Sequence, residues 1–405
     1  MDIKITPARL EGKVEIPASK SIAHRMLICA SLAGNSEISG INFSKDIDAT
    51  IQAMSALGSM IYTNKNSADI PDLINPPKKA VIDCNESGST LRFIIPVASA
   101  LGVETEFHGR GRLPQRPIDI YIRELSKHGI TFSYNNTMPF TISGKLTSGT
   151  YEIEGNISSQ FITGLLLALP LVDGDSEIIL TSPLESRPYV DITIDVLKKY
   201  GITIQENENG FSIKGNQKYT PHDDKVEGDF SQSAFFYVAN ALGSHITLEN
   251  LNPASVQGDK KILEIISDIE LDGFVKVDCS DIPDLVPIIA VLASFGAGES
   301  VIYNAERLKI KESNRLETTA SLINNIGGNA EVTADGLIIR PTGNMHGGIV
   351  DSAGDHRIAM AGAIAGTKTS GEVIIRGAEA VEKSYPDFFK DYENLGGIIN
   401  VISME

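Results

Sequence analysis

The chain has 405 residues, 42% of them apolar and 21% charged, enough for two or three domains with separate cores and ordinary for a soluble globular enzyme. Its formal charge of −17 offers no positive field to nucleic acid or an anionic membrane, so neither is expected as a partner. An anionic small ligand is not excluded by that sign, but it must be met by Lys and Arg gathered locally.

The N-terminal Met1-Asp2-Ile3-Lys4-Ile5 alternates as a strand and lacks the basic-plus-apolar pattern of a signal peptide. No apolar run approaches the roughly 20 residues that span a bilayer. Cys29, Cys84 and Cys279 form no CxxC pair and read as reduced structural thiols. A cytoplasmic protein is expected, with no bound metal.

Beyond the first strand, two kinds of helical segment interleave. The first kind is apolar and Ala-rich, opens on small or polar residues, and in most copies closes at Gly. It recurs at 19–34, 86–102, 158–174, 229–243, 281–296 and 354–366, each read as a capped, buried helix. The second kind is amphipathic and ends near Gly58, Gly129, Gly201, Gly273, Gly327 and Gly396. Alternating segments follow, such as Ile202-Thr203-Ile204, Phe274-Val275-Lys276-Val277 and Ile398-Ile399-Asn400-Val401, which predict strands.

The period is about 70 residues, with a shorter fourth copy. Six such units of mixed α/β (α+β) class divide into two domains of three: 19–225, and 226–405 joined by the first strand in 1–18. A cleft between two domains is a usual ligand site.

Cations and hydroxyls collect at the helix starts. Lys20, Ser21 and Arg25 open the first buried helix, Gly88, Ser89, Thr90 and Arg92 the second, Ser158, Ser159 and Gln160 the third, and His356 with Arg357 the sixth. Arg116, Ser186 with Tyr189, the run Lys311-Glu312-Ser313-Asn314-Arg315, and Lys383 stand at the starts of amphipathic helices. One Ser pair at a helix start is an ordinary cap. A cation there is disfavoured by the helix dipole, and the same misplacement at many starts calls for a compensating anion. Taken singly, His356 reads as a core or cap histidine, Glu312 as a first-turn acid and Asp284 as a capping group; His24 is assigned nothing. GxGxxG after a strand, GxxxxGK[ST], HExxH and GxSxG are all absent, and the His residues do not cluster at metal-ligand spacing.

The repeat, taken with Lys20-Ser21-Ile22-Ala23-His24-Arg25, Gly88-Ser89-Thr90-Leu91-Arg92, Ser158-Ser159-Gln160, Ile282-Pro283-Asp284, Lys311-Glu312-Ser313-Asn314-Arg315, Asp355-His356-Arg357 and Lys383-Ser384-Tyr385-Pro386-Asp387, resembles the EPSP synthase family of enolpyruvyl transferases. The resemblance runs from Ala18 to Phe388 with the motifs in family order. It implies two domains of three βαβαββ units and a cofactor-free, metal-free monomer that joins shikimate-3-phosphate to phosphoenolpyruvate.

By position, the resemblance implies that Lys20, Ser21, Arg25, Ser158, Ser159, Gln160, Ser186, Tyr189, Asp284 and Lys311 meet shikimate-3-phosphate. Lys20, Gly88, Arg92, Arg116, Gln160, Arg315, Arg357 and Lys383 would meet phosphoenolpyruvate. Asp284 is the candidate for the hydroxyl proton, with Lys311 nearby. Glu312, Lys20 and His356 are the candidates at C3, their acid and base roles left open. Site residues drawn from both halves imply closure of the domains on substrate.

Three positions depart from the family pattern: Glu86 where Asn is common, Asn314 where Asp is frequent, and Arg307 where some members carry Asn. The sister family acting on UDP-N-acetylglucosamine normally carries a reactive Cys in the segment corresponding to 108–115, which here has none. A non-catalytic binder of phosphorylated metabolites would not need Asp284, Lys311 and Glu312 among its cations. Gly88 lacks the methyl that Ala would bring to the pocket, which fits glyphosate sensitivity.

Overall fold

The structure is a computed structural model and describes residues 1–402. Ala18–Glu227 forms one continuous compact unit, while Met1–Pro17 joins Gly228–Glu405 in a second, split unit. The chain thus changes unit one residue before, and two residues after, the positions read from sequence.

In the continuous unit, three pairs of helices follow one another: α1 (Lys20–Ala33) and α2 (Lys45–Ala56), α3 (Gly88–Leu101) and α4 (Asp119–Lys127), α5 (Ser159–Ala168) and α6 (Arg187–Lys199). Each pair comes with a four-stranded sheet of one design. In the second, Lys79–Asp83 lies parallel to Glu104–His108, which pairs antiparallel with Phe140–Gly144, and that strand pairs antiparallel with Ile130–Ser133. The third sheet repeats this order. In the first, the outer parallel strand is Asp224–Lys225, supplied from the far end of the unit.

The split unit continues the series with α7 (Phe230–Ala241) and α8 (Ile262–Asp272), α9 (Val286–Ser294) and α10 (Arg315–Asn325), α11 (His356–Gly366) and α12 (Phe388–Asn394). The fourth copy is short because its sheet has only Glu11–Glu15 parallel to His245–Glu249, with no hairpin. In the last sheet the N-terminal strand Asp2–Thr6 takes the place that a hairpin strand holds elsewhere, between Val373–Arg376 and Ile398–Ile402.

Each unit has its own apolar core, built round the helices that open the repeats. α9 and α11 are buried along their whole lengths, as a helix that is apolar all round must be. The amphipathic partners bury one face only, α8 through Ile262, Ile265 and Ile269. Burying one such side chain contributes about 1.5–3 kcal/mol.

Several ends differ from the sequence reading. α5 stops at Ala168 and a 3-10 turn containing Pro170 follows, so Gly174 caps nothing. Gly366 is the last helical residue of α11 rather than a cap, and a Cβ there would come within 2.7 Å of Ile5. α10 begins at Arg315, because Glu306–Ile310 forms a 3-10 turn and Lys311 is extended. α9 begins at Val286 after the 3-10 turn Pro283–Leu285, so Asp284 stands ahead of the helix rather than in it.

Candidate active site

In the continuous unit the expected residues sit at helix starts. Ser19, before α1, makes no side-chain cap, and its hydroxyl has no partner among the described residues. The first N–H groups of α1 therefore receive no side-chain cap from it. Lys20 pairs with Asp46 of α2 at 2.8 Å.

One turn on, Arg25 is 3% exposed and its side chain crosses to α6. Its guanidinium donates to Thr193 Oγ1 (2.7 Å), the Ser21 carbonyl (2.5 Å), the Tyr189 carbonyl (2.9 Å) and Thr163 Oγ1 (3.3 Å), all neutral oxygens. The Phe93 ring lies 5.0 Å from it. Burial pushes Arg25 down to about 10, which leaves it charged at neutral pH. A buried cation held only by neutral acceptors is a costly arrangement that an anion would relieve.

The starts of α3 and α5 are tied together. Arg92 Nη1 donates to Gln160 Oε1 at 2.7 Å, and Gln160 Nε2 donates to Ser89 Oγ at 3.0 Å. Arg92 Nη2 reaches the carbonyl of Pro117, next to Arg116. The Arg116 guanidinium lies close against Gly88: a Cβ on Gly88 would fall 2.3 Å from its Nη1. Ser158 caps α5 by accepting from the Gln160 N–H at 3.3 Å, and Ser159 is buried beside it. Ser186 precedes α6 in left-handed backbone (φ 55°), an uncommon conformation for a residue other than Gly, Asn or Asp.

In the split unit the starts of α9, α10 and α11 gather acids and bases. Arg315, 1% exposed, donates to Asp355 Oδ2 (2.8 Å), Asp284 Oδ1 (2.7 Å) and Glu312 Oε2 (2.7 Å). Asp355 also caps α11 through the Arg357 N–H and accepts from Ser313 Oγ at 3.0 Å. Arg357 Nη2 holds the other oxygen of Asp284 at 2.9 Å. His356 is buried as the first residue of α11, and Lys383 Nζ donates to the Gly354 carbonyl at 2.8 Å.

These partners fix protonation. Burial is the largest single influence on Asp284 and favours the acid, but Arg357, Lys311 and Arg315 together outweigh it and hold the carboxyl well below the usual carboxylate range. Burial pushes Lys311 down to about 8, Asp284 opposing and Arg315 reinforcing. The site can therefore offer an ionised carboxylate beside an amine that sheds its proton just above neutral pH.

Sequence reasoning assigned no role to several participants. Asp46, Thr163, Thr193 and Asp355 hold Lys20, Arg25 and Arg315 in place. Of these, only Asp355 carried a signal, an acid immediately before a helix start. Asp259, on the 3-10 turn Gly258–Lys261, is pushed up to about 7 by burial and by Asp284, against Arg357. Of the departures, Arg307 donates to the Ser280 carbonyl, and Glu86 packs against Gly111, where a Cβ would fall 2.4 Å from its Oε2. Asn314 makes no side-chain cap on α10. Among the described residues no group of three or more His, Cys, Asp and Glu could hold a metal ion, and no helix is long and apolar enough to cross a membrane.

The family model described as EPSP synthase (3-phosphoshikimate 1-carboxyvinyltransferase) matches residues 5–392. A 3-phosphoshikimate 1-carboxyvinyltransferase of Clostridium novyi is 46% identical over 431 residues, covering 100% of this chain and 99% of that one. Its counterpart in Clostridioides difficile is 43% identical, covering 99% of both chains. Among solved structures, EPSP synthase from Acinetobacter baumannii superposes with a TM-score of 0.83 at 24% identity, covering 99% of this chain and 100% of that one. The enolpyruvyl transferase NikO from Streptomyces tendae gives 0.78 at 15% identity, covering 100% and 99%. At such identities these two structures share the fold.

Proposed function

The chain belongs to the EPSP synthase family, and from that premise we propose that it transfers the enolpyruvyl group of phosphoenolpyruvate to the 5-hydroxyl of shikimate-3-phosphate, releasing phosphate. The observation that carries the reading is Arg25: a buried guanidinium whose four hydrogen bonds all go to neutral oxygens, at the uncapped start of α1. Such a group suits a phosphate dianion, which it binds with charge-assisted hydrogen bonds.

Arg25, Ser21, Lys20, Ser158, Ser159, Gln160, Ser186 and Tyr189 are assigned to shikimate-3-phosphate, together with Asp284 and Lys311 at its reacting hydroxyl. The Gly88 backbone, Arg92, Arg116, Gln160, Lys20, Arg315, Arg357 and Lys383 are assigned to phosphoenolpyruvate. For Arg315 that role requires exchanging part of its hold on Asp284, Glu312 and Asp355.

In the first step the 5-hydroxyl oxygen bonds to C2 of phosphoenolpyruvate while C3 takes a proton, giving a tetrahedral intermediate. In the second, the C2–O bond to phosphate breaks as C3 gives the proton back. Asp284, ionised between two guanidinium groups, is fitted to accept the hydroxyl proton rather than to supply one. Glu312, Lys20 and His356 serve C3. The cations offset the repulsion of two phosphates and a carboxylate brought together in a dry site.

The same reading makes the protein a cytoplasmic monomer without metal or organic cofactor. The test is phosphate release by the purified protein. Release is expected with phosphoenolpyruvate and shikimate-3-phosphate together. Release with UDP-N-acetylglucosamine in place of shikimate-3-phosphate would transfer the chain to the sister activity.

A further inference from the structure

We propose that His24 is a positioning residue: through a buried chain of hydroxyls its imidazole holds the start of α3 in register for phosphoenolpyruvate. His24 Nδ1 lies 2.7 Å from Thr50 Oγ1, which lies 2.7 Å from Thr90 Oγ1. Thr90 in turn donates to Ser87 Oγ at 2.8 Å. The chain crosses from α1 through α2 to α3, and none of its four side chains is more than 1% exposed.

Proton counting gives the chain a direction. Each hydroxyl has one proton to donate. Thr90 gives its proton to Ser87, so Thr50 must donate to Thr90, and His24 must donate from Nδ1 to Thr50. Nε2 then carries a lone pair, and it has no partner among the described residues. Either tautomer leaves Nε2 without a partner among the described residues, so the direction rests on the hydroxyl count. A second proton on the ring is opposed by burial, Lys20 and Arg25. The imidazole is therefore a fixed, neutral donor.

The far end of the chain reaches a group assigned to substrate. Ser87 Oγ accepts the Thr90 N–H at 3.1 Å and so sets the first turn of α3, where Gly88 stands. The His24 ring meets Phe93 edge-on, with centroids 6.3 Å apart, on the residue that also backs Arg25. An apolar residue of similar volume would fill the same space but supply no donor. The inference rests on the reading that Gly88 and Arg116 meet phosphoenolpyruvate.

The test compares His24→Leu, His24→Asn and Thr50→Val by KM for each substrate, kcat and Tm. His24→Leu and Thr50→Val are expected to raise KM for phosphoenolpyruvate about tenfold and to leave KM for shikimate-3-phosphate within about twofold. His24→Asn, whose amide N–H stands in for Nδ1–H, is expected to restore the wild-type value. An unchanged KM in His24→Leu, parallel shifts for both substrates, or no rescue by Asn would overturn the role. If His24→Leu fails to fold, the isosteric Thr50→Val decides by the same criterion. Arg116→Ala, run alongside, separates the two readings. No change there overturns the placement of phosphoenolpyruvate and this inference with it, whereas a raised KM there with an unaffected His24→Leu overturns the His24 role alone.

Discussion

Gly88→Ala probes the tightest contact at the proposed phosphoenolpyruvate site. The added Cβ would lie 2.3, 2.6 and 2.8 Å from Nη1, Cζ and Nη2 of Arg116, where ordinary contact begins at 3.4 Å. The guanidinium must therefore retreat by about 1 Å. It is the far end of a flexible side chain, so it can move without disturbing the backbone. Gly88 is the first residue of α3 and is not at positive φ, so Ala costs the helix nothing and contributes up to about 1 kcal/mol of propensity. A charge-assisted hydrogen bond carries about 1.5–3 kcal/mol, so its loss raises KM for phosphoenolpyruvate about 10- to 100-fold. KM for shikimate-3-phosphate should stay within about twofold and Tm should not fall. Phosphate-release kinetics at varied concentrations of each substrate, with a thermal melt, measure all three. An unchanged KM for phosphoenolpyruvate in a folded variant would refute the placement of Arg116 and Gly88.

Arg25→Met keeps most of the buried stem but removes the cation; calorimetric titration should show shikimate-3-phosphate binding weakened at least about 100-fold, while Thr163 and Thr193 still bond each other at 2.9 Å. Asp284→Asn keeps the shape between Arg315 and Arg357 but removes the basic oxygen and sets an NH2 against one of the two guanidinium groups, so kcat should fall about 10²- to 10⁴-fold and Tm should fall as well, as read by steady-state kinetics and melting. Lys311, pushed down to about 8, is charged below that pH and neutral above it, so its cationic contribution is lost as pH rises. The kcat/KM profile should therefore fall through about pH 8, and in Lys311→Arg the fall should move beyond pH 10. A flat wild-type profile to pH 9.5 would exclude a role for the Lys311 charge.

The six buried helices were legible because their composition leaves no polar face: all nine residues of α9 are buried, and the sequence Val286 to Ser294 offers water nothing but its last hydroxyl. The cations at helix starts stood out because the dipole disfavours them there, which makes Lys20 and Arg25 informative in a way that Ser158 is not. The pairing of the first strand was not legible. Ile3 meets Ile375 on one side and Val401 on the other, and no local pattern carries a contact of that sequence separation. Nor could local pattern distinguish Thr163 and Thr193, which orient Arg25, from hydroxyls that merely close their own helix turn. The three carboxylates round Arg315 come from separate stretches of chain, so their convergence appears only in three dimensions. His24 was passed over for the same reason: its partner lies on α2, and nothing along α1 signals it.

The central claim is that the acceptor hydroxyl attacks carbon, not phosphorus, so that the C2–O bond of phosphoenolpyruvate breaks. Phosphoenolpyruvate labelled with ¹⁸O at the bridging oxygen, turned over with shikimate-3-phosphate and followed by mass spectrometry, reports which bond is cut. The label is expected wholly in the released phosphate. Label retained on the three-carbon fragment would mean phosphorus–oxygen cleavage and would contradict enolpyruvyl transfer.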